Sequence, residues 1–192
     1  MRQAADVICA GGVIVYPTDS CYALGCRLGE KAGMERIRAI RRLDVRHRFA
    51  LVCRDLSELA LYAMVDNRQF RALKSATPGS YTFILRATRE VPKRLRHPAG
   101  KTIGLRVPDH KVVNSLLDAL GEPLVSSTLL LPGDDFPLND GQEILDRLDG
   151  QVDLVLECGS CGITPTTVVD LSGPAPVIVR RGRGSLDPFG LA

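Results

Sequence analysis

Polar side chains gather where an apolar run breaks near the start of the chain. The run 12–16 is of β type and stops at Pro17, which cannot donate a hydrogen bond to a neighbouring strand. Four hydroxyl or carboxylate groups then follow closely: Thr18, Asp19, Ser20 and Tyr22. Polar groups at the end of a buried strand build ligand sites in open α/β sheets. A turn capped by an Asx or Ser/Thr side chain is the alternative, and the residues alone leave both interpretations open.

A cluster of basic side chains precedes a second apolar run, 49–53. Helical periodicity predicts that a helix ends near Asp44. A loop is then expected to present the basic residues Arg41, Arg42, Arg46, His47 and Arg48. Guanidinium groups suit bidentate recognition of carboxylate, carbonate or phosphate. A solvated helix face is the alternative interpretation for part of this cluster.

Further hydroxyl and cationic groups fall at the ends of predicted strands. They are Arg106, Thr128, Thr166, Thr167 and Arg180, and Gly182 follows the last of these strands. Segments 167–171 and 177–180 are predicted to pair like a hairpin, which would bring Thr166 close to Arg180. An arginine at a strand end is also a common salt-bridge partner, so both interpretations of Arg106 stay open.

The elements that must position these groups alternate irregularly between helix and strand. Helices are predicted at 2–10, 30–43, 56–75 with a break near Asp66, 109–120 and 140–149, with Asp109 and Asp140 as N-caps. Strands are predicted at 13–16, 49–53, 81–87, 102–107, 124–127, 153–156, 167–171 and 177–180. This mixture predicts a single α/β domain over residues 1–192, with a curved mixed sheet, flanking helices and a large basic concave cavity.

Composition is that of a globular protein, with 45% hydrophobic and 24% charged residues and a net charge of only +3. The charge is unevenly spread: segments 36–54 and 86–101 are basic, and segment 134–157 is acidic. If these segments lie apart, a basic face suited to a nucleotide triphosphate or an RNA follows. The chain has neither a long apolar run nor a signal-peptide core, so a cytoplasmic location without membrane contact is expected.

The six cysteines show no disulfide-framework spacing. Cys158 and Cys161 form an isolated C-x-x-C, and the three histidines lie far from it in sequence. Zinc needs two further ligands, and a redox motif of the thioredoxin type needs the thiols at a helix start. The sequence therefore predicts no metal site.

Taken together, the motifs resemble those of the YrdC-like family, whose best-known members are threonylcarbamoyl-AMP synthases. The run Pro-Thr-Asp-Ser-x-Tyr-x-Leu-Gly at 17–25 is similar to the family's opening signature. Similar motifs follow in order at 78–82 (Pro-Gly-x-x-Thr), 104–110 (Gly-x-Arg-x-Pro-x-His) and 165–170 (Pro-Thr-Thr-Val-Val-Asp). The resemblance spans about residues 10–184 and is nearest to the YciO-like branch.

This resemblance implies an enzyme that condenses L-threonine, bicarbonate and ATP, with Mg²⁺ on the triphosphate, into threonylcarbamoyl-AMP and pyrophosphate for tRNA modification. It implies that Thr18, Ser20, Tyr22 and Arg106 bind substrate and that Arg41 and His47 face bicarbonate and phosphates. It assigns nucleotide contacts to Thr128, Thr166, Thr167, Arg180 and Gly182.

Two positions depart from the family pattern. Leu43 stands where the family keeps an arginine, and Leu130 stands where it keeps an asparagine. Leucine offers neither donors nor acceptors, so the synthase activity of this chain is expected to be weak or altered. A double-stranded RNA or tRNA-binding protein without synthase activity is the alternative, since phosphate contacts need few sequence-specific groups.

Overall fold

The computed structural model of the protein describes residues 1–44 and 47–190. Six α-helices lie in this part of the chain: α1 (Arg2–Cys9), α2 (Lys31–Arg41), α3 (Leu56–Tyr62), α4 (Asn67–Ala76), α5 (Lys111–Leu120) and α6 (Gly141–Leu148). Ten strands accompany them: β1 (Ile14–Tyr16), β2 (Ala23–Arg27), β3 (Ala50–Val52), β4 (Ala63–Met64), β5 (Tyr81–Ala87), β6 (Thr102–Arg106), β7 (Leu124–Thr128), β8 (Leu154–Val155), β9 (Thr167–Asp170) and β10 (Val177–Arg180).

All ten strands belong to one mixed sheet. Nine follow the order β10-β9-β5-β6-β3-β7-β2-β1-β8, and β4 pairs with β5 beside this path. The pairs β1–β8, β3–β6 and β5–β9 are parallel, and the other neighbours are antiparallel. The prediction of one α/β domain with a mixed sheet is confirmed.

The first strand is buried on both faces, which explains its continuous apolar sequence. Ile14 and Tyr16 join the cluster formed with helices α1 and α5. Val13 and Val15 point the opposite way, into the larger cluster that includes helices α2 to α4. Successive side chains of a strand alternate between faces, so a four-residue apolar run fills two cores.

Strand β2 was not predicted from the sequence. Its run Ala-Leu-Gly-Cys-Arg contains Gly25, a residue that disfavours strands because it has no side chain to pack. A Cβ at Gly25 would lie 2.7 Å from Leu124 Cδ2 and 2.9 Å from Tyr16 Cε1. The glycine therefore admits side chains from the two neighbouring strands, and tertiary packing overrides the local preference.

Helix α2 ends at Arg41, earlier than the predicted end near Asp44. Arg42 adopts the left-handed conformation (φ 48°), and its N–H reaches the Ala39 carbonyl while the Leu43 N–H reaches Arg38. This closure is a common way to terminate a helix. Arg41 is thus the last helical residue instead of a loop residue, and Arg46 lies outside the described residues.

One of the two predicted helix caps is present and the other is wrong. Asp140 Oδ1 accepts from the Glu143 N–H at 2.8 Å, as predicted, and Asp66, where only a break was predicted, closes a capping box with Gln69. Asp109 does not cap α5, because His110 holds the N-cap position. The Asp109 N–H instead donates to Asp19 Oδ2 at 3.2 Å. No helix of the described ranges is both long and apolar enough to cross a membrane.

Candidate functional site

A pocket of about 420 Å³ lies over one face of the sheet. Its floor runs across neighbouring strands: Ile84 of β5 pairs with Gly104 of β6, Gly104 with Ala50 of β3, and Ala50 with Ser126 of β7. Because paired residues in adjacent strands share a face, these four positions form one row. The two smallest residues stand in the middle of the row and leave the space above the sheet open.

Polar and cationic side chains surround this floor. The residues that line the pocket are His47, Arg48, Phe49, Ala50, Thr82, Ile84, Gly104, Arg106, Ser126, Ser127, Thr128, Thr166, Val168, Val179 and Arg180. Five of the site residues predicted from the sequence are in this set: His47, Arg106, Thr128, Thr166 and Arg180.

Arg106 is the last residue of β6, and two side chains of the motif at 17–25 hold its guanidinium in place. Its Nη2 donates to Asp19 Oδ1 at 2.8 Å and to Ser20 Oγ at 3.3 Å. Its buried Nε has no hydrogen-bond partner among the described residues. A buried donor without an acceptor is unfavourable, so this atom is suited to an acceptor on a bound ligand.

Arg41 reaches the end of β7 from the last turn of α2. Its Nη1 donates to Ser127 Oγ at 2.5 Å, and its Nε donates to the Leu130 carbonyl at 3.0 Å. Burial lowers the pKa of this guanidinium to about 10, so it is still charged at neutral pH. The contact to Ser127 connects Arg41 to the pocket wall.

His47 shares Ser127 with Arg41, since its Nε2 lies 3.3 Å from Ser127 Oγ. Burial lowers the pKa of His47 to about 4, and the nearby charges of Arg41 and Arg38 act in the same direction. The imidazole is therefore neutral at pH 7. A protonated imidazole would be repelled by these two cations, and an anion bound beside His47 would favour the charged form.

Arg180 closes the other side of the pocket. The hairpin of β9 and β10 is antiparallel and sets Arg180 opposite Val168. The guanidinium donates to the Thr166 carbonyl at 2.9 Å and to Thr166 Oγ1 at 3.2 Å, and Thr166 Oγ1 lies 2.8 Å from Thr82 Oγ1. Burial lowers the pKa of Arg180, and the charge of Arg106 lowers it further.

The side chains of the first motif are satisfied within the protein. Thr18 Oγ1 donates to the Cys21 carbonyl at 2.7 Å and accepts from the Ser20 N–H at 3.2 Å, so the segment is a hydroxyl-capped turn. Tyr22 OH donates to the Gly159 carbonyl at 2.7 Å. Thr18 lines a second pocket together with Asp19 and His110. The turn also contacts the main pocket, because Ser20 Oγ accepts a hydrogen bond from Arg106 Nη2 at 3.3 Å.

Thr167 and Gly182 lie beside the main pocket without lining it. Thr167 is fully buried, accepts from the Gly182 N–H at 3.1 Å and donates to the Gly184 carbonyl at 2.6 Å. A Cβ at Gly182 would come within 2.3 Å of the Pro165 carbonyl oxygen. These two residues fix the chain that follows β10, next to Arg180.

Three residues that hold the side chains around the pocket in place were not among the site residues predicted from the sequence. Asp19 anchors Arg106, Ser127 joins Arg41 to His47, and Thr82 braces Thr166. Asp19 lies in the motif at 17–25 and Thr82 in the motif at 78–82, so membership of these motifs could have indicated both residues. Ser127 sits in a run of hydroxyl residues, and its contacts depend on pairings distant in sequence.

The pocket is strongly cationic. Arg48, Arg106 and Arg180 line it, and Arg41 contacts its wall, whereas no carboxylate of residues 1–44 and 47–190 is among the lining side chains. The basic surface extends outward from Arg48, whose Nη2 lies 3.1 Å from His97 Nε2, so that segments 36–54 and 86–101 meet there. The basic and acidic segments are not fully separate, since Arg36 forms an ion pair with Asp153.

The sequence matches known proteins along nearly its whole length. The model of the Sua5/YciO/YrdC family, described as "telomere recombination", matches residues 6–182. The chain belongs to this family. It is 54% identical over 189 residues to the uncharacterized protein YciO of Escherichia coli K12, covering 98% of this chain and 92% of YciO. An uncharacterized Haemophilus influenzae protein is 55% identical over 190 residues, covering 98% and 92%.

Solved structures place this member of the Sua5/YciO/YrdC family in the same fold. The crystal structure of E. coli YciO superposes with a TM-score of 0.94 at 54% identity and covers 98% of this chain and 91% of that one. Sua5 of P. abyssi complexed with L-threonine has a TM-score of 0.85 at 22% identity and covers 94% and 53%. At 22% identity, the similarity to Sua5 shows the fold alone.

Proposed function

We propose that the protein is an ATP-dependent enzyme of the threonylcarbamoyl-AMP synthase type, with weak or altered activity. It would condense L-threonine, bicarbonate and ATP into threonylcarbamoyl-AMP and pyrophosphate, and the product would serve the threonylcarbamoylation of tRNA adenosine. The observation that carries the proposal is the convergence of three guanidinium groups, Arg41, Arg106 and Arg180, on one carboxylate-free pocket of the described residues. Such a pocket is suited to a polyanion.

Catalysis of this condensation needs no covalent nucleophile. The threonine amine first condenses with bicarbonate, with release of water, to form a carbamate. The carbamate carboxylate then attacks the α-phosphorus, and negative charge moves to the leaving pyrophosphate. Positioning and electrostatic stabilisation by fixed cations supply the rate enhancement for such a step. Arg106 offers its unpartnered Nε to a carboxylate or phosphate oxygen, and Arg180 with Thr166 and Thr128 forms the nucleotide side of the pocket.

Magnesium fits this site as part of the nucleotide substrate. Among the described residues, no group of three His, Cys, Asp or Glu side chains is placed to hold a metal ion. Mg²⁺ prefers substrate phosphates and water with few protein ligands, and the pocket offers hydroxyl oxygens from Ser126, Thr128 and Thr166. The ion would neutralise charge on the triphosphate.

Threonine is proposed as the amino acid on the strength of the family relationship. The P. abyssi Sua5 structure contains L-threonine. In this chain, Thr18, Ser20 and Tyr22 are buried and their hydroxyl groups are engaged in internal hydrogen bonds. Their part would be to shape the subsite and hold Arg106, which would then meet the substrate carboxylate.

Threonine-dependent release of pyrophosphate tests this function. The protein is mixed with Mg·ATP and bicarbonate, and pyrophosphate is followed with and without L-threonine. Release that requires all three substrates, and that Arg106→Gln abolishes, is the expected result. L-Serine, which lacks the methyl group of threonine, and L-valine, in which a methyl group replaces the threonine hydroxyl, serve as matched control amino acids. Release independent of any amino acid would contradict the proposal.

A specific observation also favours RNA as a second candidate ligand. The contact of Arg48 with His97 merges two basic segments into one surface beside the pocket, and Arg86, Arg89 and Arg94 are exposed. Phosphate contacts from such a surface give binding that weakens steeply with salt. Titration of a fluorescent RNA duplex at several salt concentrations, against a DNA duplex of equal length, distinguishes this activity from nucleotide binding alone.

A further inference from the structure

The loop that follows β8 brings two thiols together at the surface. Cys158 Sγ lies 3.7 Å from Cys161 Sγ. Cys158 is exposed and Cys161 is partly exposed, whereas Cys21, Cys26 and Cys53 are buried in the core. A disulfide requires an S–S bond of about 2.05 Å, so a small displacement of either side chain joins these two sulfurs.

The loop is held in this shape by hydrogen bonds at both ends. Asn139 Oδ1 accepts from the Cys161 N–H at 2.7 Å and from the Gly162 N–H at 2.9 Å. Tyr22 OH accepts from the Cys158 N–H at 3.1 Å. Gly159, between the two cysteines, and Gly162, directly after Cys161, have positive φ angles of 79° and 101°, which lets the chain turn sharply at both places.

A proton acceptor faces the exposed thiol. His110 Nε2 lies 4.0 Å from Cys158 Sγ, and His110 Nδ1 is buried without a partner among the described residues. Burial lowers the pKa of His110, although the carboxylates of Asp19 and Asp109 act in the opposite direction. A neutral imidazole can accept the thiol proton, and the thiolate is the reactive form of cysteine.

The two thiols differ in reactivity. Burial raises the pKa of Cys161 to about 12, with the Cys158 sulfur acting in the same direction. Cys161 is thus a poor first nucleophile, whereas exposed Cys158 meets reagents from solvent. This asymmetry, with an attacking thiol outside and a resolving thiol behind it, is typical of reversible dithiol sites.

We propose that Cys158 and Cys161 form a thiol–disulfide exchange site, with His110 as the proton acceptor for Cys158 and a low-molecular-weight disulfide such as glutathione disulfide as oxidant. The Cys158 thiolate attacks one glutathione sulfur, its proton passes to His110, and one glutathione leaves as thiolate. Cys161 then loses its proton to solvent and attacks Cys158 Sγ, which expels the second glutathione. Two protein thiols are oxidised, and one glutathione disulfide is reduced to two glutathione molecules.

Mass spectrometry of the intact protein tests this proposal without reference to nucleotide or threonine. A Cys9→Ser background removes the other exposed thiol. The protein is incubated with glutathione disulfide, quenched in acid and weighed. The expected product has lost two hydrogen atoms and carries no glutathione. Cys161→Ser is expected to keep one glutathione adduct, and Cys158→Ser to react far more slowly.

His110→Asn tests the proton acceptor, because asparagine suits the N-cap position that His110 occupies and should preserve α5. An adjacent base activates a nucleophilic thiol, so loss of the acceptor should slow the reaction about tenfold. A stable glutathione adduct on the parent protein, or a reaction in His110→Asn as fast as in the parent, would overturn the proposal.

Discussion

Arg106 and Asp19 form a buried ion pair in which Nη2 and Oδ1 are 2.8 Å apart and each side chain is only 7% exposed. The pair uses one edge of the guanidinium and leaves Nε without a partner among the described residues. Asp19 also accepts from the Asp109 N–H, so one carboxylate ties the first motif to the start of α5. Asp19 therefore orients the Arg106 side chain in the main pocket, although Asp19 itself does not line that pocket.

Removing Asp19 should destabilise the fold strongly. Asp19→Ala leaves Arg106 buried without its counter-ion, and breaking such a pair costs about 3–5 kcal/mol. Denaturant unfolding measures the loss. Glu122→Ala is the matched control, because the Arg27–Glu122 pair is also short at 2.7 Å but lies at the surface. That change should cost no more than about 1 kcal/mol. Equal losses for both variants would contradict this account of Arg106.

Arg41→Ala should weaken binding of ATP by roughly ten- to a hundredfold, since a hydrogen bond to a charged group contributes about 1.5–3 kcal/mol. The loss should shrink as salt rises, because ions screen the interaction. Calorimetric titration with Mg·ATP at two salt concentrations measures both effects. Arg42→Gln removes the adjacent, exposed charge and should leave the affinity nearly unchanged. Identical affinities for the two variants would mean that Arg41 makes no ligand contact.

The sequence predicted the fold class and most strands because apolar runs and turn residues are local signals. The family motifs also indicated Arg106, Arg180 and Thr166, which the sheet brings together. The end of α2 and the strand around Gly25 were missed, because a left-handed Arg42 and a close approach by Leu124 are products of tertiary structure. The contacts of Ser127 with Arg41 and His47 could not be predicted from the sequence either, since they depend on the register of β7 against β3.

Leu43 and Leu130 stand where the family keeps polar residues, which predicts a low turnover of the synthase reaction. Polar substitutions at these two positions should raise that turnover. Leu43 and Leu130 are half-buried, and the Leu130 carbonyl already holds Arg41 through the backbone. Leu43→Arg combined with Leu130→Asn should therefore raise threonine-dependent pyrophosphate release. Each restored polar contact contributes about 1.5–3 kcal/mol, or roughly ten- to a hundredfold when it acts only in the transition state.

The double substitution by methionine is the matched control, because it changes the side chains without adding hydrogen bonds. Thermal unfolding of all three forms separates activity from stability. A folded Leu43→Arg, Leu130→Asn variant with no gain in turnover would defeat the weakened-synthase interpretation and favour another substrate.

The lowered pKa of His47 predicts a loss of stability in mild acid. The unfolded chain takes up a proton near the ordinary histidine pKa of about 6.5, whereas the folded protein resists protonation until about pH 4. The unfolded state thus binds more protons between these values, so the free energy of unfolding falls as the pH drops through that window. Urea unfolding of the parent and His47→Gln at pH 7 and pH 5 isolates the effect.

The parent should lose more stability than His47→Gln over this interval. Saturating inorganic phosphate should reduce the difference, because an anion beside His47 favours the charged imidazole and raises its pKa. Parallel losses in both proteins would show that His47 does not titrate abnormally.

The order of strands in the sheet has a consequence for how the protein folds. The three arginines come from positions 41, 106 and 180, and the sheet that supports them needs the parallel pairing of β5 with β9 and of β1 with β8. Such non-local pairings form slowly because long loops must close first. Nucleotide affinity should therefore emerge after helical structure during refolding. Stopped-flow circular dichroism and a fluorescent ATP analogue would record the two phases, and the binding signal would mark the moment at which the last strands dock.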